Sequence, residues 1–508
     1  MPAASTGLRT VPACPLARAC LLFLCLAIAG SAWGNTAISD TDVSDKIEEE
    51  LLDDPAVMTD SIDIETNQGI VTLTGSVSSI LAMERAARIA ETVRGVRAVV
   101  NRLEVIPVSA KSAEALHRDI VMALAFDPVT ESYEIETSVD AQGHVTLTGS
   151  VDSWGERDLA ETVVKGVSGV TGVSNNVEVM FRAERPDNEI TPEIQRRMHW
   201  DTLLDGTQVD VRVRDGMVFL SGTVGSAAEV RRAELDAMVG GVEAVDSSGL
   251  VVAKWARDEE MRNQKYLPRS DFAIRAAVLD ALSYDPRLAT FDIDAKVTAG
   301  KVVLKGVVDN IQARRAAQQD ARNTVGVVWV ENLIKIRPVA QLDTASIAES
   351  VRGELQRNPF TENHDIEVSV RNGVVYLDGS VETSFEKAIA ENIAFRARGV
   401  TRVRNNLVVG YPENIGYNPY VYQWSIHDYP WYDTTTLTLD SNDKQIAREI
   451  RDELFWSPFV DSDDVAVSVE DGVATLTGTV GSLGEYRAAR ENAYEGGALR
   501  VRNRIQVE

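Results

Sequence analysis

The stretch that decides the fold is Val71–Gly75, with the sequence VTLTG, because close variants of it return five more times along the chain. They read VTLTG at 145–149, VFLSG at 218–222, VVLKG at 302–306, VYLDG at 375–379 and ATLTG at 474–478. A recurrence of this kind divides a chain into repeated units. We therefore expect the function to lie in a repeated module rather than in one catalytic centre.

Four positions recur with these copies. Each copy ends in a glycine near the end of a predicted strand: Gly75, Gly149, Gly222, Gly306, Gly379 and Gly478. A second glycine follows after 20 or 19 residues: Gly95, Gly169, Gly241, Gly326, Gly399 and Gly497. Six residues later five copies have an asparagine and the third has Ser247. Eleven residues after the first glycine all six have an alanine: Ala86, Ala160, Ala233, Ala317, Ala390 and Ala489.

These recurring residues are interpreted as structural. Glycine in a strand marks a bend, a positive φ or a close approach of two backbones. Asparagine is typical of turns, where its side chain bonds nearby backbone, and a fixed alanine lets a helix pack closely on a sheet. A phosphate-binding loop would need clustered glycines followed by Lys and Ser or Thr, and the chain has no such cluster.

The residues between the recurring positions predict the module. In the first copy the order is a helix at 45–52, a strand at 61–65, a turn at 67–69, a strand at 70–77, a helix at 79–93 and a strand at 99–105. The helices show apolar residues three or four apart and the strands show alternation. We predict an α+β fold, a tandem repeat of six small α-β-β-α-β modules with two helices packed on a three-stranded mixed sheet.

The predicted domain boundaries follow from this register. They are 1–34 for a signal peptide, 41–107, 113–181, 189–252, 271–337, 345–410 and 441–508 for modules 1 to 6, 253–270 for a linker and 411–440 for an aromatic-rich linker.

The N-terminal segment is typical of a secretory signal peptide. Arg9 and Arg18 precede the apolar run Ala19–Gly30, and small residues lead to a predicted cleavage after Gly34. The alternative is a retained anchor helix. All three cysteines lie in this segment: Cys14, Cys20 and Cys25. The rest of the chain therefore has neither disulfides nor thiolate ligands, which favours export to a periplasm.

The composition excludes several classes of function. The formal charge of -26 disfavours nucleic acid as a partner, because phosphate contacts need clustered Lys and Arg. Beyond the N-terminal segment no apolar run is long enough for a transmembrane helix. The five histidines fall at unrepeated positions and form no metal-binding pair. We expect no enzyme activity and no cofactor.

The glycines, a Gly-Val pair and a V-x-N before the last strand resemble the BON domain. The resemblance covers roughly residues 41–507 apart from the two linkers, and its matching residues include Gly75, Gly95, Val96 and Asn101, and Gly399, Val400, Val403 and Asn405. The third module departs from it around Ser247–Gly249. The resemblance implies a helix-on-sheet fold, an envelope location, binding to phospholipid surfaces and a link to osmotic or envelope stress. It supplies no ligand residue that could be transferred.

Module 4 is the first candidate for a lipid or partner contact. Residues 271–337 hold 10 basic and 8 acidic residues, a net charge of +2, whereas residues 113–181 have a net charge of -9. The candidate residues are Lys301 and Lys305 on a strand and Arg314, Arg315 and Arg322 on the second helix. Anionic lipid headgroups attract such a patch. The alternative is a solvated helix face or a dock for an acidic neighbouring module.

The aromatic-rich linker is the second candidate. It places eight aromatic residues in 22 between positions 411 and 432, and tyrosine and tryptophan favour interfaces. The candidates for contact are Tyr417, Tyr420, Tyr422, Trp424 and Trp431. The alternative is a linker that folds back and covers neighbouring modules.

Together these features predict a periplasmic multi-domain binding protein. It would contact anionic phospholipid or an envelope protein peripherally and support envelope integrity under osmotic stress. The alternative is a scaffold whose modules bind each other or a protein partner without recognising lipid.

Overall fold

The computed structural model describes residues 38–57, 61–130, 134–181, 185–205, 208–253, 268–338, 342–411, 443–457 and 459–507. The predicted signal peptide and most of the linker at 253–270 lie outside these residues. So do the aromatic candidates Tyr417, Tyr420, Tyr422, Trp424 and Trp431. Contacts divide the chain into two units, Met1–Ser39 and Asp40–Glu508, and the second contains all six modules.

The described residues contain twelve helices and six mixed sheets in the order helix, strand, strand, helix, strand, repeated six times. This confirms the predicted α+β class and the α-β-β-α-β module. In modules 4, 5 and 6 a short break divides the last strand into two pieces, which pair with the same central strand.

Modules 1 to 3 occupy the first half of the chain. Their elements are α1 Asp40–Asp53, β1 Ile62–Asn67, β2 Ile70–Val77, α2 Ile80–Thr92, β3 Ala98–Val105, α3 Ala113–Phe126, β4 Glu134–Val139, β5 His144–Val151, α4 Trp154–Lys165, β6 Gly172–Val179, α5 Asp187–Trp200, β7 Val209–Arg214, β8 Met217–Val224, α6 Ala227–Ala237 and β9 Ala244–Val252.

Modules 4 to 6 follow in the same order. Their elements are α7 Asp271–Tyr284, β10 Ile293–Thr298, β11 Lys301–Val308, α8 Ile311–Arg322, β12 Trp329–Asn332, β13 Lys335–Ile336, α9 Thr344–Arg357, β14 Ile366–Arg371, β15 Val374–Thr383, α10 Ser384–Arg396, β16 Arg402–Asn405, β17 Val408–Tyr411, α11 Asp443–Trp456, β18 Val465–Glu470, β19 Val473–Val480, α12 Leu483–Glu495, β20 Arg500–Asn503 and β21 Gln506–Val507.

The second strand is the centre of each sheet. It pairs antiparallel with the first strand through a hairpin and parallel with the last strand. In module 1 the hairpin turn is Gln68-Gly69, with φ of 51° and 74°, the left-handed pair that a tight hairpin needs. The carboxylate of Asp40 accepts hydrogen bonds from both turn amides, at 2.8 and 2.9 Å. Aspartates at the same position do this in three further modules: Asp187, Asp271 and Asp443.

The recurring glycine sits inside the second strand rather than at its end. Gly75 pairs with Ile62, the first residue of β1, and β2 continues to Val77. Its φ is +113°, and a Cβ there would lie 1.7 Å from the carbonyl oxygen of Ser61. Side chains are excluded by this close approach of two backbones. Gly306 is the one copy without a positive φ, and its Cβ would lie 2.7 Å from the oxygen of Asp292.

The recurring asparagine fastens the last strand to the second helix. Asn101 donates from Nδ2 to the carbonyl of Met83 on α2, and its Oδ1 accepts from the amide of Leu103. The other four do the same: Asn175, Asn332, Asn405 and Asn503. The predicted bond to nearby backbone is therefore present, and the structure adds a second bond from the asparagine to the helix. In module 3, Ser247 lies at a register shift between β8 and β9.

The core of each module lies between its helices and one side of its sheet. In module 2 it is built from the helix residues Leu116 and Ile120 and the strand residues Val145 and Leu147, each at most 1% exposed. Burying one such aliphatic side chain contributes about 1.5–3 kcal/mol. The six recurring alanines are all 0% exposed, so the second helix approaches the sheet closely.

The modules pack together in nested pairs: first with sixth, second with fifth, third with fourth. In each pair the residue before the second glycine of one module meets the last turn of the first helix of the other. The contacts are Arg94 over the ring of Phe455 at 4.5 Å, the Ser168 amide to the Arg357 carbonyl at 2.7 Å, and the Val325 amide to the Trp200 carbonyl at 2.9 Å. Side chains also cross between cores, as Leu203 of module 3 packs with the core of module 6.

Candidate functional site

Each sheet has one side packed on helices and one side that the described residues leave open. Alternation along the strands decides which side chains reach the open side. In module 4 this side carries four exposed lysines on three neighbouring strands. We call it the lysine face, and its lysines are Lys296 on β10, Lys301 and Lys305 on β11, and Lys335 on β13.

The strand register brings these lysines together. On β11, Lys301 lies between Thr298 of β10 and Trp329 of β12 in the pairing, while Lys305 lies opposite Asp294. Directly opposite residues on neighbouring strands have Cβ atoms about 4.5–5.5 Å apart, within mutual reach. Farther along β11, Val307 pairs with Lys335 of β13. The lysines therefore share one continuous surface.

Apolar side chains accompany the lysines. Trp329 is 60% exposed, Leu333 45% and Val307 44%. Tryptophan presents an apolar body with a polar N–H, a combination suited to the boundary between water and hydrocarbon. The lysine face thus combines positive charge with exposed apolar surface.

Little negative charge offsets the lysines. Within the described strands β10 to β13 the face has two acids, Asp294 and Glu331. Arg275 donates from Nη2 to Asp294 at 2.7 Å, and this hydrogen bond lowers the pKa of the Asp294 carboxyl, so it stays ionised and already paired. Among the described residues, none of the four lysines forms an ion pair.

The structure divides the predicted cationic cluster of module 4. Lys301 and Lys305 lie on the lysine face, but the arginines belong to α8, which packs against the other side of the sheet. Arg314 donates to the carbonyl of its own module's Asn332 at 3.3 Å. Arg322 is half-buried in the last turn of α8.

Arg315 lies between modules. Its guanidinium is 4.0 Å from the ring centroid of Phe395 and donates to Oδ1 of Asn392 at 3.3 Å, both on module 5. A cation over an aromatic face contributes about 0.5–1 kcal/mol or more once desolvated. This arginine therefore holds module 4 against module 5.

Sequence reasoning missed five members of the lysine face: Lys296, Val307, Trp329, Leu333 and Lys335. The signal was available, because residues that alternate with Lys301 and Lys305 along β11, and the residues that pair with these on neighbouring strands, must point the same way. The net charge of the whole module does not distinguish the open side of the sheet from the helix side, so it does not reveal that the lysines share one side.

A cavity with a volume of about 930 Å³ lies where modules 2, 3 and 4 meet. Several of its charged groups already have partners. Arg232 bonds to Asp201 and Arg287 to Asp285 within their own modules, and Arg231 bonds to Glu91 of module 1. Burial, with the nearby Asp201, raises the pKa of Asp236, which lines a second cavity of about 190 Å³, to about 7. These charges are used within the structure, so the cavity is a weaker candidate than the lysine face.

The described ranges contain neither a metal-binding cluster nor a helix that could cross a membrane. Their His, Cys, Asp and Glu side chains form no group of three or more that could hold a metal ion. Their helices include none that combines the length and the apolar character needed to cross a membrane.

Comparison with known proteins agrees with the module count. The family model of the BON domain matches residues 39–107, 112–180, 186–254, 270–338, 343–411 and 442–508. Osmotically-inducible protein Y of Escherichia coli strain K12 is 30% identical over 147 residues, 28% of this chain and 73% of that protein. Outer membrane lipoprotein DolP of Haemophilus influenzae is 30% identical over 112 residues, 21% of this chain and 58% of that protein.

A solved structure is also similar in part. It is the C-terminal domain of CdsD, a structural protein of the Type III secretion system of Chlamydia trachomatis, with 16% identity. The match covers 44% of this chain and 96% of that one with a TM-score of 0.12, so it carries no argument about function.

Proposed function

This chain belongs to the BON domain family, as its resemblance suggested, and on that premise we propose that it is a periplasmic protein that binds anionic phospholipid through the lysine face of module 4. It acts by binding rather than catalysis and supports the integrity of the envelope under osmotic stress. The names of two relatives, an osmotically inducible protein and an outer membrane lipoprotein, support the location and the stress link.

The observation that carries the proposal is the pairing of charge with apolar surface on one open sheet. Each lysine close to an anionic membrane contributes about 1 kcal/mol, so four lysines offset by Glu331 supply a few kcal/mol. The attraction acts within a Debye length, about 8 Å at physiological salt, which requires direct contact with the headgroups. Trp329, Leu333 and Val307 are then placed at the headgroup level, where tryptophan is favoured.

The test is sedimentation of the protein with vesicles. Vesicles of phosphatidylcholine with phosphatidylglycerol should pull down the unmodified protein at low salt, and vesicles of phosphatidylcholine alone should not. The double variant Lys301→Gln/Lys305→Gln should bind about tenfold or more weakly, because two contributions of about 1 kcal/mol are lost.

The matched control is Arg212→Gln/Arg214→Gln. These two arginines are exposed on β7 in module 3, so the control removes the same charge from another sheet. It should bind vesicles as the unmodified protein does. Equal loss in both double variants would replace the proposal with a general charge effect. No vesicle binding at all, together with capture of an envelope protein, would favour the scaffold.

A further inference from the structure

Module 6 has a negative net charge but carries a positively charged surface on one strand. Residues 441–508 hold 8 basic and 13 acidic residues, a net charge of -5. Its strand β20 and the residue after it nevertheless read RVRNR, with exposed arginines at every second position. We call these the arginine row: Arg500, Arg502 and Arg504.

The backbone holds the row straight. Arg500 and Arg502 pair in parallel register with Val473 and Thr475 of β19, and the amide of Arg504 donates to the carbonyl of Leu476 at 2.9 Å. Alternate residues of a strand lie about 6.5–7 Å apart on the same side. Three guanidinium groups therefore extend over roughly 13 Å along one edge of the open side of the sheet.

The described strands beside the arginine row carry little negative charge. Within the described ranges none of its members forms an ion pair. Among the described strand residues of the open side the one acid is Glu470, which lies on β18 beyond the central strand. The buried carboxylates of the module, such as Glu491, belong to the helices on the other side of the sheet.

Apart from the half-buried Val473 opposite Arg500, the neighbours of the row are hydrophilic. On β19 the open side presents Thr475, Thr477 and Thr479, and the described residues of this side include no aromatic side chain. Without exposed apolar bulk this side gains nothing from entering a bilayer, unlike the lysine face. Without aromatic rings it has no platform on which the bases of a nucleic acid could stack.

We propose that the arginine row binds a soluble, extended polyanion that carries phosphate groups along one chain. A guanidinium group presents a planar fork of donors that fits phosphate oxygens with two parallel hydrogen bonds, which an ammonium group does not. Three such forks in a line select a linear ligand over a single phosphate. This site is separate from the lysine face, and its ligand is separate from the lipid proposed there.

The test uses linear inorganic polyphosphate as the probe and titration calorimetry on the full chain. The unmodified protein should bind the polymer and bind orthophosphate far more weakly. Arg500→Gln/Arg502→Gln/Arg504→Gln should weaken polymer binding about tenfold or more. Arg500→Lys/Arg502→Lys/Arg504→Lys keeps the positive charge but lacks the planar pair of donors. It should therefore recover only part of the affinity for the polymer.

The matched control is Lys301→Gln/Lys305→Gln/Lys335→Gln, which removes three charges from the lysine face. It should keep polyphosphate binding while losing vesicle binding, and the arginine variant should do the reverse. Equal loss of polymer binding in both triple variants, or none in the arginine variant, overturns the proposal. So does binding of a single-stranded oligonucleotide as tight as that of the polymer. Thermal unfolding checks that each variant is folded.

Discussion

The open sheet faces of modules 4 and 2 share a backbone and differ in chemistry. Both sheets have the same order of first, central and last strand, although the last strand is divided in module 4, and the central strands β11 and β5 are each eight residues long. Lys305 and Lys335 of module 4 occupy the positions of Thr148 and Glu178 in module 2. The fold thus leaves these positions unconstrained.

The buried sides of the same strands have hardly diverged. Val302 and Leu304 of β11 correspond to Val145 and Leu147 of β5, and all four are 0% exposed. Packing density penalises changes there, whereas an exposed position costs little to change. Functional differences between the six modules should therefore be sought on the open sides of their sheets.

The largest expected effect comes from reversing the charge of the lysine face. Lys301→Glu/Lys305→Glu changes the local charge by four units, which opposes binding to anionic vesicles by about 4 kcal/mol. Sedimentation with vesicles that contain phosphatidylglycerol should show binding abolished. The same assay on Glu134→Gln/Glu136→Gln, exposed on β4 of module 2, should show no loss. A loss there as well would end the distinction between the two faces.

The recurring glycine should give the next largest effect, and a larger one in module 2 than in module 4. Gly149 has φ of +124°, and an added Cβ would lie 2.1 Å from the Glu134 carbonyl oxygen. Gly149→Ala should cost about 2–3 kcal/mol of unfolding free energy, measured with urea. Gly306→Ala meets Asp292 at 2.7 Å without a positive φ and should cost less. The opposite order would contradict this account of the glycine.

The sequence was sufficient to predict the module because the alternation of apolar residues in the strands and their spacing of three or four in the helices recur six times. It could not reveal how modules pair, since the contacts use residues outside the repeat pattern, such as Arg94 on Phe455. It also grouped Arg315 with Lys301, because a charge count ignores which side of the sheet each residue occupies. In the structure, Arg315 lies on the helix side of the sheet, where it contacts Phe395 of module 5.

The third prediction concerns the pH dependence of stability, which should arise from buried acids on the helices rather than from the open sheet faces. Burial raises the pKa of Glu491 to about 8 and that of Glu453 to about 7. The surrounding charges are Lys46, Glu49 and Glu50 on α1, Glu453 on α11, and Arg490 and Glu495 on α12.

A buried acid with a raised pKa binds its proton more tightly in the folded state. Its stabilising contribution is complete below the ordinary glutamate pKa of 4.5 and is lost as the pH rises through about 7 to 8. The unfolding temperature should fall over this range. Glu491→Gln, which stays neutral, should raise stability by about 1 kcal/mol at alkaline pH and little at acidic pH. An equal gain at both would exclude the titration of Glu491 as the cause.

The smallest effect should come from the apolar part of the lysine face. Trp329→Ser removes a ring that is 60% exposed and pairs beside Lys301, so vesicle affinity should fall about threefold to tenfold. Stability should change little because the ring contributes little to the core. Unchanged vesicle affinity would leave charge as the entire basis of the contact.

The central claim is tested most directly by labelling matched positions on the two faces. With Cys14, Cys20 and Cys25 replaced by serine, a fluorophore is attached at Val307→Cys or at Ser150→Cys, which occupy equivalent strand positions. A water-soluble quencher then reports exposure before and after phosphatidylglycerol vesicles are added. We predict protection at position 307 and none at position 150. Equal protection at both positions, or none at position 307, would contradict the assignment of module 4 as the membrane-binding module.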